Sequence, residues 1–136
     1  MARSHGVVVQ LGQLPQGRFT SRGGRDAVER AIVNLLRNSI QHSPTNGKVE
    51  VSGRLDPQGF VVTVADSGTR LTDTEGQAFT AAGQIQAKSV PHGRYSRGLG
   101  LYSAGLAAAA GRATVRTAQP PSGMLNAFEL VIDLAQ

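Results

Sequence analysis

Residues 48–66, KVEVSGRLDPQGFVVTVAD, constrain the fold of this chain more than any other stretch. Two runs rich in β-branched residues, KVEVSGRL and GFVVTVAD, flank Asp56-Pro57-Gln58-Gly59. Such runs suit a pleated strand, and Pro with Gly in a short polar connection suits a tight reversal. The stretch predicts an antiparallel hairpin that needs an apolar cover for one face. That cover must come from the segments on either side.

Upstream, GVVVQL at 6–11 reads as a short strand, followed by a loop through Pro15 and Gly17 to Gly24. Asp26 with Glu29 three residues later is a capping-box pattern, so a helix is expected to start there. It should run to about His42, because Ser43-Pro44 disfavours further helix and Asn46-Gly47 turns the chain. Downstream, residues 67–97 hold Gly68, Gly76, Gly83, Pro91 and Gly93, and only DTEGQAF hints at a short helix. A connection this long inside a compact domain is either a functional lid or disordered. An Ala-rich helix is expected over 98–110, ended by Gly111. RATVRTA and NAFELVIDLA then read as two closing strands joined through QPPSG.

The order strand, helix, hairpin, lid, helix, hairpin predicts an α+β domain. Its architecture would be a two-layer α/β sandwich: a mixed, mostly antiparallel sheet with helices on one face and a long lid. Neither an internal repeat nor a dividing linker is visible, so residues 1–136 are expected to form a single domain.

Composition narrows the function classes. There is no cysteine, which removes disulfides and thiolate metal sites. No apolar run approaches the roughly 20 residues that span a bilayer, and the amino end is too polar for a signal peptide. The expectation is a cytoplasmic domain without membrane contact of its own, although a parent protein can be anchored elsewhere. The net charge of +5 invites a nucleic-acid partner. Yet the arginines are scattered from Arg3 to Arg116 with no block, and six aromatics form no stacking stripe. Specific nucleic-acid binding is not expected; arginines that meet the phosphates of a small ligand fit as well.

The helix carries the first polar signal. Val28, Ile32, Leu35, Leu36, Ser39 and Ile40 form one stripe expected to face the sheet. Asn34 and Asn38, one turn apart, fall together at its border. On their own they read most simply as polar residues edging a buried face. A second signal is VVTVADSGTR, where a strand ends in Asp66 and Gly68 follows. A carboxylate there can accept from an exocyclic amine, with glycine admitting a flat ring to the backbone; an ordinary Asp-Ser-Gly turn is the plainer account. The third is RGLGLYSAG, whose Gly98 and Gly100 open a helix with free N–H groups suited to phosphate.

In this order the three stretches resemble the ATP-binding domain, of Bergerat fold, shared by sensor histidine kinases, DNA gyrase, the Hsp90 chaperone and MutL. The asparagine helix looks like the N box, DSG like the G1 box, and RGLGL like the G2 box; Phe79 resembles the F box. NLLRNSIQHS followed by GLGLYSAG is most similar to the catalytic domain of histidine kinases. The resemblance implies that Asn38 coordinates a Mg²⁺ bridging the ATP phosphates, with Asn34 at the same phosphate end. It implies that Asp66 accepts from the adenine N6 amine and that Gly68 lets adenine approach. Gly98, Leu99, Gly100 and Leu101 would hold the triphosphate, with Arg97 beside them, while Gln41 and His42 lie near the phosphates and base.

Asn34 stands where ATP-hydrolysing members carry a glutamate, and an amide cannot take up the proton of an attacking water. Phosphoryl transfer, which needs positioning and charge neutralisation, remains open. Arg70 replaces the second G1 glycine, and Ser96 stands where the G2 box usually begins with glycine. None of His5, His42 and His92 has the context of a phosphoacceptor, so the resemblance implies a histidine on a separate dimerisation domain, with a response regulator downstream. An anti-sigma-factor-type serine kinase and a nucleotide-sensing module without transferase activity are the alternatives.

Overall fold

The computed structural model describes residues 7–17, 19–71, 78 and 100–135. Five strands and two helices appear among them: β1 Val8–Leu11, α1 Arg25–Gln41, β2 Lys48–Asp56, β3 Gly59–Asp66, α2 Gly100–Ala110, β4 Ala113–Thr117 and β5 Asn126–Ile132. They form a sheet of order β1-β2-β3-β5-β4, antiparallel except where β1 runs parallel to β2. The mixed sheet and the α+β class agree with the sequence expectation. Residues 72–77 and 79–99, most of the expected lid with Phe79, Arg97, Gly98 and Leu99, lie outside the described residues.

The hairpin closes on Pro57 and Gln58, with Asp56 opposite Gly59. Asp56 helps to shape it, since its Oδ1 accepts from the Gln58 N–H at 3.0 Å. Alternation then sorts the residues of β3. Val62 and Val64 belong to the main core, and their cross-strand partners on β5 are Leu130 and Phe128. Val61, Ala65 and Ala127 are also buried but point to the other face of the sheet.

Against the inner face lie both helices. α2 packs along α1 as well as near the sheet, which gives α1 two apolar walls. This corrects two expectations for α1. Ala31 and Asn38 are buried beside Leu35 and Ser39, and Asn38, only 2% exposed, does not sit at a border. The periodicity marked the face toward the sheet, and the second helix covers the flank that carries Asn38. Asp26 is not a cap either: Gly24 is the N-cap residue, and no side chain bonds the free helix amides. The carboxylate of Glu29 is instead taken by Arg25 Nε at 2.6 Å, one turn back.

The helices meet head to tail at a pair of glycines. A side chain on Gly23 would collide with the backbone of Gly111, and one on Gly111 would press on Val28 at 3.1 Å. The start of α1 is therefore against the end of α2. An eleven-residue helix spans about 16 Å, so the first turn of α2 is directed toward the Asn38 end of α1.

On the open face, Glu129 of β5 is gripped from two strands. Arg54 Nη1 reaches over β3 to Oε2 at 2.8 Å, and Arg116 Nε meets Oε1 at 2.8 Å. Arg116 also donates to Gln58 at 2.9 Å. Burial alone pushes the Glu129 carboxyl up, but the hydrogen bonds and charges of the two arginines outweigh it and hold the group below its ordinary range.

Candidate functional site: the carboxylate at the end of the central strand

The alternation that buries Val62 and Val64 carries on to Asp66, the last residue of β3. A carboxylate is thereby delivered to an inward position and has no exposed surface. Burying a charge is costly unless hydrogen bonds compensate. Asp66 Oδ1 accepts from the Gly68 N–H at 3.0 Å and from Asn126 Nδ2 at 3.0 Å. The first bond is the ordinary Asx turn that Asp-Ser-Gly suggests; the burial and the second bond go beyond it.

The turn after Asp66 is fixed from three sides. Toward β2, Ser67 Oγ accepts from the Lys48 N–H at 2.8 Å, and the Ser67 N–H donates to Lys48 O at 3.1 Å. Toward α1, Gly68 packs on the His42 carbonyl so closely that a Cβ would overlap it. Glycine is required here by that carbonyl, a reason the sequence did not disclose. Toward β5, Asn126 Nδ2 faces Gly68 O at 3.3 Å and Thr69 O at 2.9 Å, and its Oδ1 accepts from the Leu71 N–H at 2.9 Å.

Asn126 was not singled out from the sequence. A signal was available: in NAFELVIDLA it holds the same parity as Phe128, Leu130 and Ile132, so a polar residue was due on the inward face.

His42 caps α1, and its N–H donates to Asn38 O at 3.3 Å. Ser43 Oγ adds a bond to Ser39 O at 2.7 Å. The helix end and the turn together border a cleft of about 500 Å³, lined by Gln41, His42, Ser43, Gly68, Thr69 and Leu125 among others. Its size lies within the usual range for small-molecule sites. Three of the expected site residues thus line one cleft, while Asp66 and Asn38 are buried close by in sequence. Asn34, a turn before Asn38, is half-buried. Gly100 and Leu101 open α2, with Leu101 fully buried. A second groove of about 540 Å³ lies at the other end of the sheet between Phe19, Val28, Phe60 and Ile132. It is mostly apolar and holds none of the expected site residues.

Among the described residues no group of three or more His, Cys, Asp or Glu could hold a metal ion. A cation seated here would rely on amide oxygens and on the ligand itself. The amide oxygen of Asn38 is the kind of hard donor that Mg²⁺ accepts alongside phosphate oxygens and water.

The sequence profile of the histidine kinase-, DNA gyrase B- and HSP90-like ATPases matches residues 23–136. The alginate biosynthesis sensor protein KinB of Pseudomonas aeruginosa is 34% identical over 101 residues, covering 74% of this chain and 15% of KinB. This chain therefore corresponds to a small part of that relative. The mycobacterial sensor histidine kinase MprB has a similar fold, with a TM-score of 0.69 at 21% identity over 97% of this chain and 85% of that one. The histidine kinase AdeS of Acinetobacter baumannii gives 0.69 at 18% identity over 98% and 57%. Since the family profile extends from the start of α1 to the end of the chain, this protein belongs to the histidine kinase-, DNA gyrase B- and HSP90-like ATPase family.

Proposed function

We propose that this chain is the ATP-binding catalytic module of a sensor histidine kinase, passing the γ-phosphate of ATP to a histidine on a separate dimerisation domain. The observation that carries the proposal is the fully buried Asp66 carboxylate, held at a strand end next to a glycine turn and a cleft. An ionised carboxylate only accepts hydrogen bonds. It suits the adenine amine and opposes the guanine carbonyl at the same ring position.

The remaining roles follow from place and chemistry. Gly68 keeps the turn low against α1, leaving backbone beside the base. Gln41 and His42 line the cleft and would flank the nucleotide. Gly98, Leu99, Gly100 and Leu101 would hold the phosphates at the start of α2, whose N–H groups favour anions, with Arg97 adding charge. Asn38 would hold Mg²⁺, which neutralises phosphate charge when bound. Asn34 supplies no base for water, so transfer to a protein acceptor is favoured over hydrolysis.

Arg70 bears on the choice between an active and a degenerate module. Among the described residues with side chains, only Asn46 and Arg112 have a positive φ. Arg70 therefore sits in an unstrained backbone conformation, and its side chain is exposed. The fold accommodates this departure from the G1 pattern.

The test is phosphotransfer in trans. With labelled ATP the chain alone should give no stable phosphoprotein and little free phosphate. Adding a cognate dimerisation-and-histidine domain should label that domain with acid-labile phosphate, which a response regulator then removes. Rapid phosphate release by the chain alone, or acid-stable label on a partner's serine, would overturn the proposal.

A further inference from the structure

We infer that Asn126 is a positioning residue for base recognition: its amide ties the Asp66 carboxylate and the turn after it to β5, and so aims the acceptor that reads the nucleotide's exocyclic amine. The inference rests on the assignment of Asp66 to that amine.

Asn126 and Asp66 are direct cross-strand partners, both inward-facing, 5% and 0% exposed. The contact spans 60 residues of sequence, so neither residue explains the other locally. The Asn126 amide meets four groups: the Asp66 carboxylate, Gly68 O, Thr69 O and the Leu71 N–H. Three need a donor and one needs an acceptor; Nδ2 has two hydrogens, so the longest contact, to Gly68 O at 3.3 Å, shares one of them. Asparagine carries both on a short side chain with two rotatable bonds. Aspartate would set a second carboxylate against Asp66. Leucine would leave the Leu71 N–H and the Thr69 carbonyl without this partner inside the fold, at the cost of unsatisfied groups.

The arrangement has a directional consequence. Oδ1 is taken by Asn126 and Gly68, which fixes the plane of the carboxylate relative to the turn. The same amide also holds the backbone from Gly68 to Leu71. An acceptor pre-set in this way discriminates by geometry, because a base that presents a carbonyl in place of the amine meets an acceptor that cannot turn aside. Preorganisation of this kind improves recognition by removing the cost of ordering the site on binding.

The experiment measures base discrimination by calorimetry, using ATP and inosine triphosphate, which differ in carrying an amine or a carbonyl at that position. The unmodified chain should prefer ATP by about tenfold or more, as expected for a charge-assisted hydrogen bond. Asn126→Ala should bring that ratio close to one while changing inosine triphosphate affinity by about twofold at most. Equal weakening of both nucleotides with the ratio kept would mean a purely structural residue and would overturn the inference. If the unmodified chain shows no preference, or if Asp66→Asn keeps the full preference, the Asp66 assignment itself fails. Should Asn126→Ala not fold, hydrogen exchange on the unmodified, nucleotide-free chain decides: the Leu71 and Gly68 amides should be protected, and free exchange at both would overturn the inference.

Discussion

Two carboxylates of this sheet sit on opposite faces and are held in different ways. Glu129 lies on the open face between two arginines, and its charge is balanced on the spot. Asp66 lies under the helices, and the donors described for it are neutral: an amide and a backbone N–H. Glu129 ties strands together and has its charge spent on that task. Asp66 is oriented by its neighbours, at a depth where a charge interacts strongly with whatever approaches. Similar chemistry, placed on the two faces, separates a structural role from the recognition role proposed for Asp66.

That contrast is sharpened first by Asn38, another buried polar group on the helix side of the sheet. Asn38→Ala should abolish phosphotransfer to a separate histidine domain and remove most of the Mg²⁺ enhancement of ATP binding, with the fold kept. Titrations of both proteins with and without Mg²⁺ check this, and an undiminished enhancement would reassign the ligand. Asp66→Asn comes next. It should weaken ATP binding by about 1.5–3 kcal/mol, roughly ten- to a hundredfold, in a folded protein. Calorimetry on a variant with native circular dichroism is the measurement.

Gly68→Ala joins the two roles, since the new methyl meets the His42 carbonyl. Forcing a methylene into such a contact costs typically about 1–3 kcal/mol. Thermal melting should fall, and the turn should shift away from α1.

The smallest effect belongs to the open face. Glu129→Gln should lower stability by about 1 kcal/mol at neutral pH, because both arginines are partly solvated. Its pH dependence has a definite sign. The folded group titrates below the usual 4.5, so its contribution is present above that value and is lost as pH falls through the folded one. The melting difference between wild type and Glu129→Gln should therefore shrink below about pH 4.5 and leave nucleotide binding untouched throughout. A variant that lost ATP binding would break the separation of the two faces.

The hairpin, the two helices and the closing strands were legible because each rests on local pattern: β-branched runs, turn residues and an apolar stripe. Asp66 and Gly68 were legible as a strand end followed by a turn. The burial of Asn38 was not, because helix periodicity describes one wall and the flank is covered by α2, distant in sequence. The role of Asn126 stayed hidden for a related reason. Its parity was readable, but its partner lies across a strand pairing that only the assembled sheet reveals. The start of α1 was legible to within one residue of Asp26, but the capping box was not formed, because Glu29 pairs with Arg25 one turn back.

The position of β5 has a consequence for the order in which the molecule assembles. It is the last of the described strands in the chain, yet it sits between β3 and β4 and is not at an edge. Until it is in place, the edge of β3 away from β2 has no strand beside it, and the Asp66–Asn126 contact must close a segment of 60 residues. The length-dependent part of that closure costs roughly 3.6 kcal/mol. Synthesis from the amino end can complete α1 and the β2–β3 hairpin early. The proposed nucleotide pocket, by contrast, is complete only when β5 has been inserted, so a nascent chain short of Asn126 has the helix and the carboxylate but not the assembled site.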